Sequence, residues 1–333
     1  MKKITVLLIP ALITLYSCKK NNVEPPQQPP IANVYVAGTG AVENKSVAMY
    51  WKNGEQVKLS ANSESETALG IAVAGNDVYV TGTYGSGGFL GSQDAKYWKN
   101  EQPVLLTNSG AFAYAQATDI AIVGNDIYIL WTGLVARQYW KNEIVQYLDY
   151  NDTLGLTTVT GMFVAGNDVY ISGNGFEGNH QLAQYWKNDE ITVVSDSSRN
   201  YISSDITVSG SDVYVAGNCI NAGHAYAMYW KNGTAVYVGD TTKESSSTAI
   251  AVLGSDVYIV GTITEGSIYK AVYWKNGIAV ELGDYASARS IAMFQNEVYI
   301  SGSLNNRAVY WRNGVPVYLQ GGTDATSIFL TPL

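Results

Sequence analysis

Few residues of this 333-residue chain carry reactive groups outside a repeating pattern. His180 and His224 are the only histidines, and two imidazoles could share a metal ion. Apart from Cys219, five positions before His224, neither has a cysteine or acid at ligand spacing, so no metal site is expected. Glu177, Asp196, Asp240, Glu244 and Glu265 could supply the paired carboxylates of a glycan hydrolase or lyase, because such pairs leave no local motif. No Gly-x-Ser-x-Gly elbow, His-Glu-x-x-His, phosphate loop or Asp-rich calcium loop is present, so no catalytic residue and no cofactor is assigned. What stands out instead are Tyr84, Phe89, Trp131, Phe176, Tyr201 and Tyr269, which together with His180 and His224 could contact a ligand.

The elements that would position these residues are written as an internal repeat. Tyr-Trp recurs seven times, at Trp51, Trp98, Trp140, Trp186, Trp230, Trp274 and Trp311, each followed by Lys-Asn or, once, Arg-Asn. A second phrase of the type Asp77-Val78-Tyr79-Val80 recurs before each, and a third of the type Ala249-Ile250-Ala251-Val252 before that. Copies lie 37 to 49 residues apart, and each holds four short strands, a to d. That is the signature of a propeller blade. The chain opens with b, c and d and closes with a lone a over residues 325–330. The expected fold is all-β: a seven-bladed β-propeller of four-stranded blades, closed by three N-terminal strands plus one C-terminal strand. Closure removes the sheet edges that a solenoid would have to cap.

Two sets of loops behave differently. From the strand-a residue Ile71, Ile120, Met162, Ile206, Ile250 or Ile291 to the acid opening strand b is always six positions, through turns such as Gly-Asn-Asp. Lys-Asn-Gly after Trp51, Trp230 and Trp274 makes a second tight turn on the same face. The b–c and d–a loops vary in length and content, so a ligand is expected on that variable face. The eight residues Tyr84, Phe89, Trp131, Phe176, His180, Tyr201, His224 and Tyr269 lie there. Six acids open strand b (Asp77, Asp126, Asp168, Asp212, Asp256 and Glu297), and they should form a ring near the axis of the uniform face. Capping of their own turns explains their recurrence better than a cation site does. The Tyr-Trp pairs are expected to fill the gaps between blades, and Cys219 to be a small packed residue. Trp131 replaces the glycine that ends strand b elsewhere; it could offer a stacking surface or fill space beside a short loop.

The N-terminus reads Met1-Lys2-Lys3, an apolar run to Tyr16, then Ser17-Cys18. A basic start and a short apolar stretch describe a secretory signal over residues 1–17, too short and Pro-broken for a transmembrane helix. Leu15-Tyr16-Ser17-Cys18 resembles the lipobox of bacterial lipoproteins, which implies lipidation at Cys18. Residues 18–30 are polar and proline-rich, a tether to the domain at 31–333. With Cys18 lipidated, Cys219 has no disulfide partner. Lys19-Lys20 follows the cysteine, favouring an anchor that faces the periplasm.

Residues 31–333 carry 27 acids and 16 bases, and the uniform turns are nearly neutral, so the acidic excess lies elsewhere. Nucleic acid is not an expected partner, since no basic stripe exists to neutralise phosphates. Asp-Val-Tyr-Val-x-Gly and Tyr-Trp-Lys-Asn-Gly on a lipidated tether resemble a group of propeller lipoproteins of Gram-negative bacteria. The resemblance implies a lipid-anchored monomer of the cell envelope, and it carries no activity. The expected function is non-enzymatic binding of a protein or glycan through the variable face, with the glycan-active enzyme as the alternative.

Overall fold

The period-2 phrases of the repeat form strands because their β-branched and aromatic residues fill pleated, half-buried surfaces. The computed structural model describes residues 31–43, 45–60, 65–85, 93–106, 115–132, 138–148 and 158–333. Cys18, the signal, the tether and Phe89 lie outside the described residues. Ala32–Leu333 is one compact unit of seven four-stranded antiparallel sheets. Blade 1 joins Gly322–Pro332 (strand a) to Ala32–Val42, Lys45–Lys52 and Glu55–Lys58, so the last strand pairs with the first and shuts the ring. Blades 2 to 7 each run a-b-c-d in chain order, with strand a starting at Glu66, Gln116, Thr158, Asn200, Glu244 and Ala286. No helix among the described residues is long and apolar enough to cross a membrane.

The cores sit between blades. Six of the seven repeat tryptophans are essentially inaccessible, and Trp140 is nearly so. Trp51 packs with Tyr299 and Ala308 of blade 7, and Trp98 with Tyr35 and Tyr50 of blade 1. Each blade thus buries its indole against the preceding one. A Cβ on Gly173 would stand 2.7 Å from the Trp186 ring, which explains the glycine ending strand b.

The uniform face is held by a side-chain relay. In the c–d turn Asn100 has a positive φ of 47°, and its Oδ1 accepts from Val78 N while its Nδ2 donates to Asp77 Oδ1. The same pattern joins Asn142, Asn188, Asn232 and Asn276 to Asp126, Asp168, Asp212 and Asp256. The strand-c lysine then pairs with the same acid, as in Lys99–Asp77 at 2.9 Å. In blade 7 Arg312 takes this place and grips Glu297 with two nitrogens, at 2.7 and 2.8 Å. The acids therefore turn outward to the c–d turn rather than capping their own a–b turn. None of the six is among the residues that wall the central channel. Lys99 and Asn100 beside Asp77 hold its carboxyl below the usual range, chiefly through the Asn100 bond.

Candidate functional site

On the variable face, one blade departs from the others. Strand pairing in blade 5 sets Tyr201 of strand a opposite Cys219 of strand b, and Cys219 opposite Tyr226 of strand c. Tyr237, last residue of strand d, stands opposite Met228, two positions from Tyr226 and therefore on the same face. The corresponding row is Ser245, Ile263 and Lys270 in blade 6, and Ala286, Leu304 and Arg307 in blade 7. Blade 5 alone among the described rows carries tyrosine on both sides of a small residue.

These tyrosines line an open pocket of about 580 Å³ with Ser198, Arg199, Asn221 and Thr241. Tyr201 is buried and locked edge-on against Trp230, with ring centroids 5.8 Å apart. Tyr226 is half-buried and Tyr237 is exposed at the rim. The loop carrying Arg199 is fixed by Asp196, whose Oδ1 accepts from Ser198 N at 3.0 Å and from Ser198 Oγ at 2.6 Å. Those two bonds hold the Asp196 carboxyl below its usual range. Arg199 Nη1 lies 3.8 Å from Sγ of Cys219, which is fully buried. Burial and the Cys219 thiol push the Tyr237 hydroxyl up to about 12, and burial raises that of Tyr201, so both remain hydrogen-bond donors through neutral pH. Aromatic faces, hydroxyl donors and one guanidinium in a concave site are what a polar, ring-shaped ligand needs.

The central channel holds a second group of polar residues. It is about 530 Å³, walled by the seven a strands, with Ile, Val, Met and Phe toward the uniform face. A bulge in each a strand carries Leu69, Thr118, Thr160, Ser204, Thr248, Arg289 or Thr326. Several bulge hydroxyls reach the next blade: Thr160 to Ser203 at 3.0 Å, Ser204 to Ser247 at 3.1 Å, Thr248 to the Ala288 carbonyl at 2.8 Å. The next position holds Asp119 in blade 3 and Asp205 in blade 5. Asp119 accepts from its own Ile120 N and from Met162 N of blade 4, at 2.8 and 3.1 Å. Asp205 does the same with Ile206 N and with Ile250 N of blade 6, at 2.8 and 2.9 Å. Each carboxylate thus clasps two blades that share no strand ladder. The following blade answers with a small residue, Gly161 or Ala249.

Protein surrounds both carboxyls, though each keeps some surface on the channel. Burial pushes Asp119 up to about 6 against the two N–H bonds that lower it. Burial pushes Asp205 up to about 7, with the charge of Asp119 adding to it. No sequence motif marks either residue, because both sit inside strand phrases rather than loops.

The residues singled out in the sequence do not converge. Tyr84 is half-buried beside Lys96, whose Nζ lies 5.1 Å from its ring centroid. That lysine pairs with Glu66 at 2.5 Å in a nearly inaccessible site. Phe176 and His180 are exposed near the tip of the blade 4 hairpin, where Glu177 stands opposite His180. His224 meets Glu244 at 3.3 Å, and Tyr269 lies edge-on to Tyr285. Trp131 stacks on Trp140 with centroids 5.3 Å apart and planes 11° from parallel, a filling contact that leaves the ring half-buried. Among the five loop acids, Asp196 and Asp240 brace their own loops, and Glu265 pairs with Lys243 and Lys270. Of the seven described candidates only Tyr201 enters the blade 5 pocket; Tyr226, Tyr237 and Arg199 join it from positions not singled out. Among the described residues, no three His, Cys, Asp or Glu side chains gather as a metal site.

No family model and no curated protein matches the chain. Solved structures do resemble it. A puromycin-hydrolyzing peptidase of Mycobacterium tuberculosis superposes with a TM-score of 0.55 at 9% identity, over 85% of this chain and 53% of the peptidase. This chain therefore spans about half the peptidase's length. TolB of Acinetobacter baumannii gives 0.49 at 9% identity, over 91% of this chain and 67% of TolB. Apo AztD of Citrobacter koseri gives 0.47 at 12% identity, over 90% and 99%. At such identities the likeness is one of fold.

Proposed function

We propose that this protein is a lipid-anchored, non-enzymatic binding module of the bacterial cell envelope that presents its variable face to a glycan. The observation that carries the reading is the blade 5 pocket. It is the one place among the described residues where three tyrosines and an arginine line a single cavity of about 580 Å³ on the variable face. That volume falls within the range of roughly 300–1,000 Å³ usual for small-ligand sites. Of the five loop acids offered for catalysis, Asp196 and Asp240 brace their own loops, Glu265 pairs with Lys243 and Lys270, and Glu244 meets His224. Lipidation at Cys18 and the tether over residues 18–30 would hold the propeller off the membrane on the periplasmic side. A monomer suffices, since one blade supplies most of the pocket wall.

A glycan array probed with the full chain in mild detergent tests the reading. Saturable binding that Tyr226→Ala and Tyr237→Ala each weaken is the expected result. Binding indifferent to both would remove the pocket from the function. Membrane fractionation tests the anchor: Cys18→Ser should move the protein to the soluble fraction.

The enzyme reading has one observation in its favour, the two inward carboxyls Asp119 and Asp205, whose proton affinities burial raises. Their main-chain bonds and their depth among the a strands fit a clasp better than an acid and base. Product analysis on any glycan bound would decide between them. Cleavage abolished by Asp119→Asn or Asp205→Asn would replace the binder with a hydrolase or lyase.

A further inference from the structure

Charge distinguishes the blade 5 pocket from its surroundings. Residues 31–333 hold 27 acids against 16 bases, and most of the described lysines and arginines are committed to carboxylates. On the neighbouring blade 6, Lys243 and Lys270 close on Glu265 at 2.6 and 3.0 Å. On blade 7, Arg307 lies flat over Tyr318, 4.2 Å from its ring centroid. Arg199 does neither. Among the described residues no carboxylate stands within ion-pair distance of it, and its one hydrogen-bond contact is the Cys219 thiol, a weak acceptor. An acidic protein that leaves an arginine without an anion, beside three tyrosines in a concave site, has a position for an anion from outside.

We infer that the blade 5 pocket takes an acidic saccharide, whose carboxylate pairs with Arg199 while its ring faces lie against Tyr226 and Tyr237. The inference rests on the glycan reading above and adds the charge class of the ligand. A planar guanidinium matches the two oxygens of a carboxylate, and each such bond is about twice as strong as a neutral one. Cys219 matters here through its size. A larger residue between Tyr201 and Tyr226 would occupy the floor over which the guanidinium is set. Tyr237 Oη, kept protonated, can donate to a ring hydroxyl or to the second carboxylate oxygen.

The test is calorimetric titration of the full chain with a panel of oligosaccharides built on galacturonate, glucuronate, mannuronate and sialate. Each is paired with its carboxyl-reduced, neutral counterpart. The wild type should bind at least one acidic member about tenfold or more tighter than the reduced form, a preference worth roughly 1.4 kcal/mol. Arg199→Met should abolish that preference and leave the thermal transition unchanged, because the side chain is exposed. Tyr226→Ala should weaken both forms alike. Equal affinity for acidic and reduced forms, with the tyrosine variant still impaired, would overturn the charge assignment and leave the glycan reading standing. Binding of no member in either form would overturn both. Tighter binding of a polyglutamate peptide than of any saccharide, lost in Arg199→Met, would replace the saccharide with a protein ligand.

Discussion

The axial clasps make stability fall as pH rises from the acid side toward neutrality. Asp119 and Asp205 hold protons in the folded state up to about 6 and about 7, well above the usual 3.8 of an aspartate. The folded chain therefore binds more protons than the unfolded chain across that window, and stability declines where this is so. Between pH 5 and pH 8 the linkage relation assigns a loss of about 1 kcal/mol to Asp119 and about 3 kcal/mol to Asp205, as upper bounds. Channel water reaches part of each carboxyl and halves the sum to about 2 kcal/mol. In a domain of this size about 1 kcal/mol moves the melting temperature by roughly 2 °C, so a fall of roughly 4 °C is expected.

Near-ultraviolet circular dichroism during heating, at half-unit intervals from pH 5 to pH 8, reads this directly. The Asp119→Asn, Asp205→Asn double variant is the control, since the amides do not titrate. It should melt lower at pH 5, where it loses one main-chain acceptor at each site, and its melting temperature should be flatter with pH. The two exposed histidines are common to both proteins and cancel. A wild-type profile parallel to that of the double variant would refute the reasoning, because the titrating groups would then lie elsewhere.

Two further outcomes follow from contacts in the same blades. Gly161→Ala would place a methyl 2.6 Å from Asp205 Oδ1 and 2.9 Å from its Cα, and should destabilise by about 1–3 kcal/mol in a urea titration. An unchanged midpoint would show that the a strands are not pressed together at that level. Trp131→Ala should lower the melting temperature through loss of its stack on Trp140, costing about 1–2 kcal/mol for a half-buried indole, and should leave glycan affinity unchanged. A loss of affinity in that variant would restore Trp131 as a contact residue.

How much of this was legible in the sequence depends on whether a residue's role repeats. The blades, their number and the three-plus-one closure could be read because each copy solves the same packing problem with the same phrase. Trp98 and Trp230 bury against a preceding blade in the same way. The relay of Asp77, Lys99 and Asn100 was visible as a recurrence but assigned the wrong partner. The acid and the asparagine are 23 positions apart and meet only when strands b and c pair. Asp119 and Asp205 were illegible for the opposite reason. They occupy a position that is Gly70, Gly161, Ala249 or Ser290 in other copies, so no motif announces them. Their meaning comes from the bulge that aims them across a blade boundary.

The blade 5 pocket lies between these cases. Tyr226 and Tyr237 fall within ordinary strand phrases, and a search restricted to loops passes over them. Alignment of the seven copies by strand register, rather than by motif, would have found them. The row Tyr201, Cys219, Tyr226 has no counterpart in the blades where that row can be compared. A propeller uses six or seven copies of each feature to close its ring, so a feature present in one blade is free of that duty. Tyr237 has counterparts at the end of strand d in Tyr147 and Tyr318, so the features particular to blade 5 are the row Tyr201, Cys219, Tyr226 and the arginine beside it. On the function proposed above, contact with a ligand is the duty that row and arginine would serve.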